Sequence, residues 1–284
     1  MSIKQIEKEA NRIRPFTWAF IAAGLLLPGL ASAQQPQSFP KATIAGSVVR
    51  TIKAESTGRD MDLYIHLPTD YDRNQMKKYP VLYILDGQWD FKLMDSVLGG
   101  LVYDKAAPEM ILVGITYSGE NPNYDSLRAS DLTPPTERGG GNGLNFLKFV
   151  KTQLIPFVET NYRADPARRV LQGNSLGGLF TLYTLFSDPG LFSGYVASSP
   201  AVISGGVLAQ ETEFAKAHKE LPTRLFIGVG SAEGLSRSVQ QFIETLRSRS
   251  YQGLKLETRV VEGEGHSGNK PETYNRGLRF IFAN

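Results

Sequence analysis

Arg168-Arg169-Val170-Leu171-Gln172-Gly173-Asn174-Ser175-Leu176-Gly177-Gly178-Leu179-Phe180-Thr181-Leu182-Tyr183-Thr184-Leu185-Phe186 changes its hydrophobic period in mid-course. A short apolar run, Val170 and Leu171, stops at Gly173. A serine follows two residues later, two glycines close the turn, and an apolar helical pattern begins. Strand, sharp turn and helix is the context in which a Gly-x-Ser-x-Gly pentapeptide presents a serine hydroxyl as a nucleophile. Such a turn strains the backbone at Ser175, so its neighbours in space must be small; Gly173 and Gly177 meet that need, and Gly178 lets the helix pack closely on the strand. The hydroxyl then stands above the carboxyl edge of a parallel sheet, at the positive end of a helix. The competing reading is a glycine-rich turn with an incidental serine. The rest of the chain has to supply a base, an acid and an oxyanion hole.

The 284 residues are 41% hydrophobic and 21% charged, the make-up of a globular chain long enough for one large α/β domain. Residues 1–33 have the pattern of an export signal. Lys4, Lys8, Arg12 and Arg14 make a basic start, an apolar run extends from Phe16 to Leu30, and Ala31-Ser32-Ala33 offers a cleavage site before Gln34. Broken at Pro28, that run is shorter than the roughly 20 residues a bilayer span needs. An uncleaved anchor is the alternative. Cleavage after Ala33 predicts a periplasmic or secreted protein without stable membrane association, a flexible segment at 34–40, and the domain at 41–284. It also removes four basic and two acidic residues, leaving 27 basic against 26 acidic groups. Nothing then argues for nucleic acid or an anionic membrane as partner. Zero cysteines rule out disulfides and thiolate metal sites.

Along the chain, Ala42–Lys53 reads as an edge strand and Met61–Leu67 as its neighbour, with His66 as a structural histidine within it. Tyr79–Leu85 is a continuous apolar run suited to a strand buried on both faces, ending in Asp86-Gly87-Gln88-Trp89. Met110–Thr116 is the next buried strand. From Tyr117 to Gly143 the chain has little periodicity, and a loop of that length is expected to hang over the elbow and shape a binding pocket. Within it, Arg128 and Asp131 are read as a pair bracing the loop, with contact of Arg128 to substrate as the alternative. Asn145–Tyr162 spaces its apolar residues as an amphipathic helix, bent or interrupted at Pro156. Asp188 is read as a turn residue after the elbow helix. Strands follow at Gly194–Ala197, Arg224–Val229 and Leu254–Val261, and helices at Leu235–Ser250 and Pro271–Phe282. The spacing Gly228-x-Gly230 with Gly234 lacks the form of a dinucleotide fingerprint and is discounted.

A serine hydroxyl needs a base near neutral pH, usually a histidine oriented by a carboxylate. Three histidines are present. His66 lies in a strand before the elbow, and His218 in a charged, solvated-looking segment. His266, in a glycine-rich loop after the last strand, is where an α/β-hydrolase arrangement presents its base, and the order Ser, acid, His follows if the acid lies between. Glu233, on the loop after the preceding strand, is the first candidate; Glu262, Glu264 and a dyad without an essential acid stay open. In the same arrangement the oxyanion amides come from the residue after the nucleophile, Leu176, and from the loop after the Tyr79–Leu85 strand, assigned to Gln88 by topology.

The sequence resembles the esterase family of α/β-hydrolases that contains esterase D, the enterobactin and salmochelin esterases, feruloyl and acetylxylan esterases and the mycolyltransferases. The resemblance rests on Pro80–Gly87, Arg128–Pro134, Gln153–Phe157, Gly173–Gly178 and Gly265-His266, and it covers nearly the whole chain from about Lys41. It implies an α/β-hydrolase fold, a central mostly parallel sheet with helices on both faces in a single domain. It implies too that Ser175 is the nucleophile, Glu233 the acid and His266 the base. Asn174 departs from the family pattern, where histidine is usual, and that puts the local pocket in doubt. The expected activity is hydrolysis of a small-molecule ester through an acyl-enzyme, without metal or organic cofactor, siderophore or plant-wall acyl esters being the leading substrates. The alternatives are an acyltransferase using the same acyl-enzyme and a non-catalytic binding protein on the same scaffold.

Overall fold

Strands covered on both faces cannot alternate exposed with buried residues, and three segments of this chain obey that rule throughout. Tyr79–Ile84, Ile111–Tyr117 and Gly194–Ser198 are buried at every position. The computed structural model describes residues 43–136, 140–203 and 206–283; the expected export signal and flexible segment lie outside the described residues. Ser47–Ala54 (β1), Arg59–His66 (β2), Tyr79–Ile84 (β3), Ile111–Tyr117 (β4), Ala164–Asn174 (β5), Gly194–Ser198 (β6), Arg224–Gly230 (β7) and Lys255–Val261 (β8) form one sheet in the order β1-β2-β4-β3-β5-β6-β7-β8. β2 runs antiparallel to both β1 and β4, and all other neighbours are parallel. β1 is the edge strand expected, although it begins at Ser47.

The helices divide between the two faces. On one face Gly87–Tyr103 (α1) and Lys270–Ile281 (α8) cover Leu82, Ile84 and Val196 with Phe91, Met94, Leu98, Tyr274 and Leu278. On the other, Gly143–Phe149 (α3), Ile155–Asn161 (α4), Leu176–Ser187 (α5), Val207–Ala217 (α6) and Ser236–Arg249 (α7) contribute Phe146, Val158, Phe180, Phe214 and Phe242 to the larger core. α5 is buried at every position from Gly177 to Phe186, which is why its sequence is apolar all round rather than on one stripe.

The interruption expected near Pro156 is present, and one expectation needs correction. The helix expected over Asn145–Tyr162 is α3 and α4 joined by a π-helical turn at Val150–Leu154, with Pro156 in the first turn of α4. Proline has no N–H to donate and its ring crowds the carbonyl four residues back, so a widened turn before it accommodates both defects. The stretch from Tyr117 to Gly143 is not wholly irregular: Tyr124–Asp131 forms a helix (α2), opened by the Asn123 side chain accepting from the Ser126 N–H. Eight residues with a cap carry too little periodicity to announce themselves.

The register places the site. Asn174 is level with Ser198, and Ser198 with Gly228, so β5, β6 and β7 end side by side. β3 lies between β4 and β5, so the chain departs from β3 to one side and returns on the other, the switch at which open α/β sheets bind ligands. Helix α8 lies so close on β7 that a methyl at Gly228 would come 2.2 Å from the Thr273 hydroxyl oxygen. Gly228→Ala is expected to destabilise the protein by about 1–3 kcal/mol. Urea unfolding should show a lower midpoint at unchanged slope; an unchanged midpoint would contradict this packing.

Candidate active site

Three neighbouring strands end in a non-glycine residue with positive φ: Asp86 after β3 (φ 55°), Ser175 after β5 (59°) and Ser199 after β6 (41°). Backbone strain of this kind persists only where its surroundings enforce it, and it gathers at functional sites. At Ser175 the enforcement is visible. Its N–H donates to the Ser198 carbonyl (3.0 Å), and its own carbonyl accepts from Leu179 (2.9 Å) and Ala201 (3.1 Å). Behind it the turn is so sharp that a Cβ on Gly173 would stand 2.4 Å from the Gly177 carbonyl carbon, and one on Gly178 would stand 2.9 Å from the Ser198 carbonyl oxygen.

The two residues expected to supply oxyanion amides both stand in the first turn of a helix. Gln88 is the second residue of α1 and Leu176 the first of α5. The first N–H groups of a helix have no intrahelical acceptor, and both helix dipoles direct positive potential at the same rim. The Gln88 side chain is held from below, its Oε1 accepting from the Thr116 hydroxyl at 2.8 Å.

The loops after β7 and β8 are joined by backbone hydrogen bonds: Ser231 N–H to Val261 O (2.9 Å) and Ala232 N–H to Glu264 O (3.0 Å). That pairing brings His266 onto Glu233, with Nδ1 and Oε2 2.6 Å apart. The Glu233 carboxylate is almost fully buried, whereas the His266 side chain is 41% exposed. Its other oxygen, Oε1, receives the Gly230 N–H (2.7 Å) and the Ser199 hydroxyl (2.5 Å). Glu262 and Glu264 are not the residues at Nδ1; the Glu264 carboxylate folds over its own loop toward Gly268. His66 pairs through Nδ1 with Asp95, and His218 stacks on Phe214 at 4.1 Å while its Nδ1 meets the Phe214 carbonyl.

Arg128 and Asp131 do not pair with each other. Asp131 takes Arg59 at 2.5 Å, and Arg128 reaches the other way, its Nε and Nη2 clasping Asp86 at 2.8 and 2.7 Å. One helical turn separates the two residues on α2, but they face different partners. Nη2 also lies 3.5 Å from the carbonyl of Asn174, so this arginine braces the residue before Ser175. Burial pushes the Asp86 carboxyl up, and the guanidinium pulls against that shift. Sequence reasoning passed over Asp86, although a carboxylate ending a fully apolar strand was a usable signal. It also passed over Ser199 and Asn269, for which no local pattern exists. Among the described residues no group of three His, Cys, Asp or Glu side chains could hold a metal ion, and no helix is long and apolar enough to cross a membrane.

The chain matches known proteins in family and fold. The family model described as "Putative esterase" matches residues 54–271. The ferri-bacillibactin esterase BesA of Bacillus subtilis (strain 168) is 29% identical over 265 residues, which span 84% of this chain and 90% of its own. The crystal structure of the BES protein from Bacillus cereus has a TM-score of 0.75 at 25% identity, covering 88% of this chain and 100% of its own. The siderophore hydrolase EstA from Aspergillus nidulans shares the fold with a TM-score of 0.74 at 19% identity, over 86% and 98% of the two chains.

Arg128 is 13% exposed and Asp86 4%, so losing one partner strands a buried charge. Arg128→Gln is expected to destabilise by about 3–5 kcal/mol, and adding Asp86→Asn should restore part of that loss. Chemical denaturation of both singles and the double measures the coupling; strictly additive losses would contradict it.

Proposed function

This chain belongs to the esterase family and is an ester hydrolase, and on that premise we propose that it works as an exported serine esterase through Ser175, His266 and Glu233. The observation that carries the proposal is the 2.6 Å contact between His266 Nδ1 and Glu233, on the loops after β8 and β7, at the same sheet edge as a serine in a strained elbow after β5. With Nδ1–H donated to the carboxylate, the ring keeps Nε2 as the basic nitrogen, the tautomer a base must have to take the serine proton.

In the proposed sequence Ser175 Oγ attacks the ester carbonyl carbon while His266 Nε2 accepts its proton. The carbonyl oxygen becomes an oxyanion in front of the Gln88 and Leu176 amides, where one preorganised donor is worth on the order of 3 kcal/mol. Collapse expels the alcohol, which leaves with the proton from Nε2, and the acyl group remains on Ser175. Water then attacks the acyl-enzyme with His266 again as base, and the acid departs. Arg128 acts by bracing the Asn174 carbonyl and the start of α1 rather than by contacting substrate. No step calls on a metal or an organic cofactor.

The substrate proposed is a siderophore ester. Support comes from the relatives whose names specify that chemistry, BesA over nine tenths of its own length among them. Export is proposed from the basic, apolar and small-residue order of residues 1–33.

A fluorophosphonate probe should label the parent protein at Ser175 and leave Ser175→Ala unlabelled. Against a catecholate siderophore ester, feruloyl and acetyl sugars and short p-nitrophenyl esters, kcat/KM should be highest for the siderophore. Labelling of Ser175→Ala would refute the nucleophile, and a preference for the sugar esters would refute the substrate. Intact mass of the exported protein should begin at Gln34; retention of residues 1–33 would refute the cleavage site.

A further inference from the structure

The Ser199 hydroxyl does more than fill space beneath the acid, and its own orientation is set by a second residue. Asn269 stands just before α8 and is fully buried. Its Nδ2 lies 2.8 Å from Ser199 Oγ, 2.9 Å from the Gly265 carbonyl, 3.1 Å from the His266 carbonyl and 3.3 Å from Glu233 Oε1. Its Oδ1 lies 3.0 Å from the hydroxyls of Ser198 and Thr273. Backbone carbonyls only accept, so the end of the amide facing residues 265 and 266 must be the NH2 and the opposite end the oxygen.

That assignment fixes the next proton. Ser199 Oγ accepts from Nδ2–H of Asn269, and its single proton is then free to point at Glu233 Oε1, 2.5 Å away. The buried left-handed backbone of Ser199, whose N–H donates to the Gly228 carbonyl at 2.7 Å, aims the hydroxyl there. From the opposite end, Ser198 Oγ touches the side-chain oxygens of Asn269 and Asn174, each at 3.0 Å. With the Ser198 proton on Asn269 Oδ1, a hydrogen-bonded path runs from Ser198 through Asn269, Ser199 and Glu233 to His266.

We propose that Asn269, acting through Ser199, is the positioning residue for the Glu233–His266 pair: its amide gives one N–H to Ser199 Oγ, turning that hydroxyl onto the acid, and shares the other between the two carbonyls of the histidine loop. This rests on the catalytic reading of Ser175, His266 and Glu233. Neither Asn269 nor Ser199 touches the reacting atoms. Their effect is on where the carboxylate sits and how much of its charge faces Nδ1. Glu233 from the β7–α7 loop is the charged group at the ring; the elements that carry His266 and Asn269 also hold Glu262 and Glu264 on the histidine loop and Lys270 of α8, which is paired with Asp90 of α1.

The test uses full-length mature enzyme with p-nitrophenyl acetate, comparing Ser199→Ala, Asn269→Asp and His266→Ala with the parent. Removing the hydroxyl takes one donor from Glu233, concentrates its charge on Nδ1–H and stabilises the protonated ring. The acid limb of the kcat/KM profile should therefore move to higher pH. In Ser199→Ala kcat should fall roughly tenfold to a hundredfold, the worth of one charge-assisted hydrogen bond, with KM within about twofold. Asn269→Asp puts an acceptor where the chain needs a donor, and should move the limb in the same direction and further. If Asn269→Asp does not melt cooperatively, Ser199→Ala decides alone. A limb that stays at the parent's position, with or without loss of kcat, overturns the inference. Full activity in His266→Ala would instead overturn the catalytic reading on which it rests.

Discussion

The turn at Ser175 is the constraint from which the site follows. Its backbone (φ 59°, ψ −114°) lies where a non-glycine residue is strained, and the chain reaches it only because Gly173 and Gly177 meet without a Cβ between them. Once that turn is fixed, parallel register does the rest. β6 ends level with β5 and β7 two residues further on, so residues emerging from their carboxyl ends reach the same rim as the serine although they are distant in sequence.

A rim assembled this way concentrates polar groups at the carboxyl edge of an otherwise apolar sheet. Asp86 is clasped by Arg128 from α2, and Asp90 is shared by Lys270 (2.6 Å) and the Tyr274 hydroxyl (2.5 Å) of α8. Burial raises the proton affinity of Tyr274 far above its usual range, so it is a donor to Asp90 at any working pH. Each buried charge has a partner, the condition under which desolvation is tolerated. These pairs tie the start of α1 to α2 and α8. They stabilise the rim, while three residues with positive φ on it work the other way.

Most of the scaffold was legible because its signals are local. The uninterrupted apolar runs at Tyr79–Leu85 and Met110–Thr116, the glycine spacing around Ser175 and the periodicity of the last two helices each report on a few adjacent residues. α2 escaped because its apolar residues are few and its cap begins only at Asn123. The π-helical turn before Pro156 escaped because a proline marks a defect without saying how the chain absorbs it. Arg128 and Asp131 were matched by proximity in sequence, whereas each found an acid or base on another element. The partners of Glu233 were least legible of all. Ser199 and Asn269 are ordinary polar residues until β6 and α8 are placed side by side, and only three-dimensional register does that.

The proposed chemistry requires the Ser175 hydroxyl, the His266 imidazole and two helix-terminal amides to converge on one reacting centre. A crystal structure of the enzyme phosphonylated by a fluorophosphonate tests it most directly, because the adduct mimics the tetrahedral intermediate. Phosphorus is expected on Ser175 Oγ, with a phosphoryl oxygen about 2.7–3.1 Å from the amides of Gln88 and Leu176, and His266 Nε2 facing Oγ with Nδ1 still on Glu233. An adduct whose phosphoryl oxygen points away from both amides, or a His266 ring remote from Ser175, would contradict it.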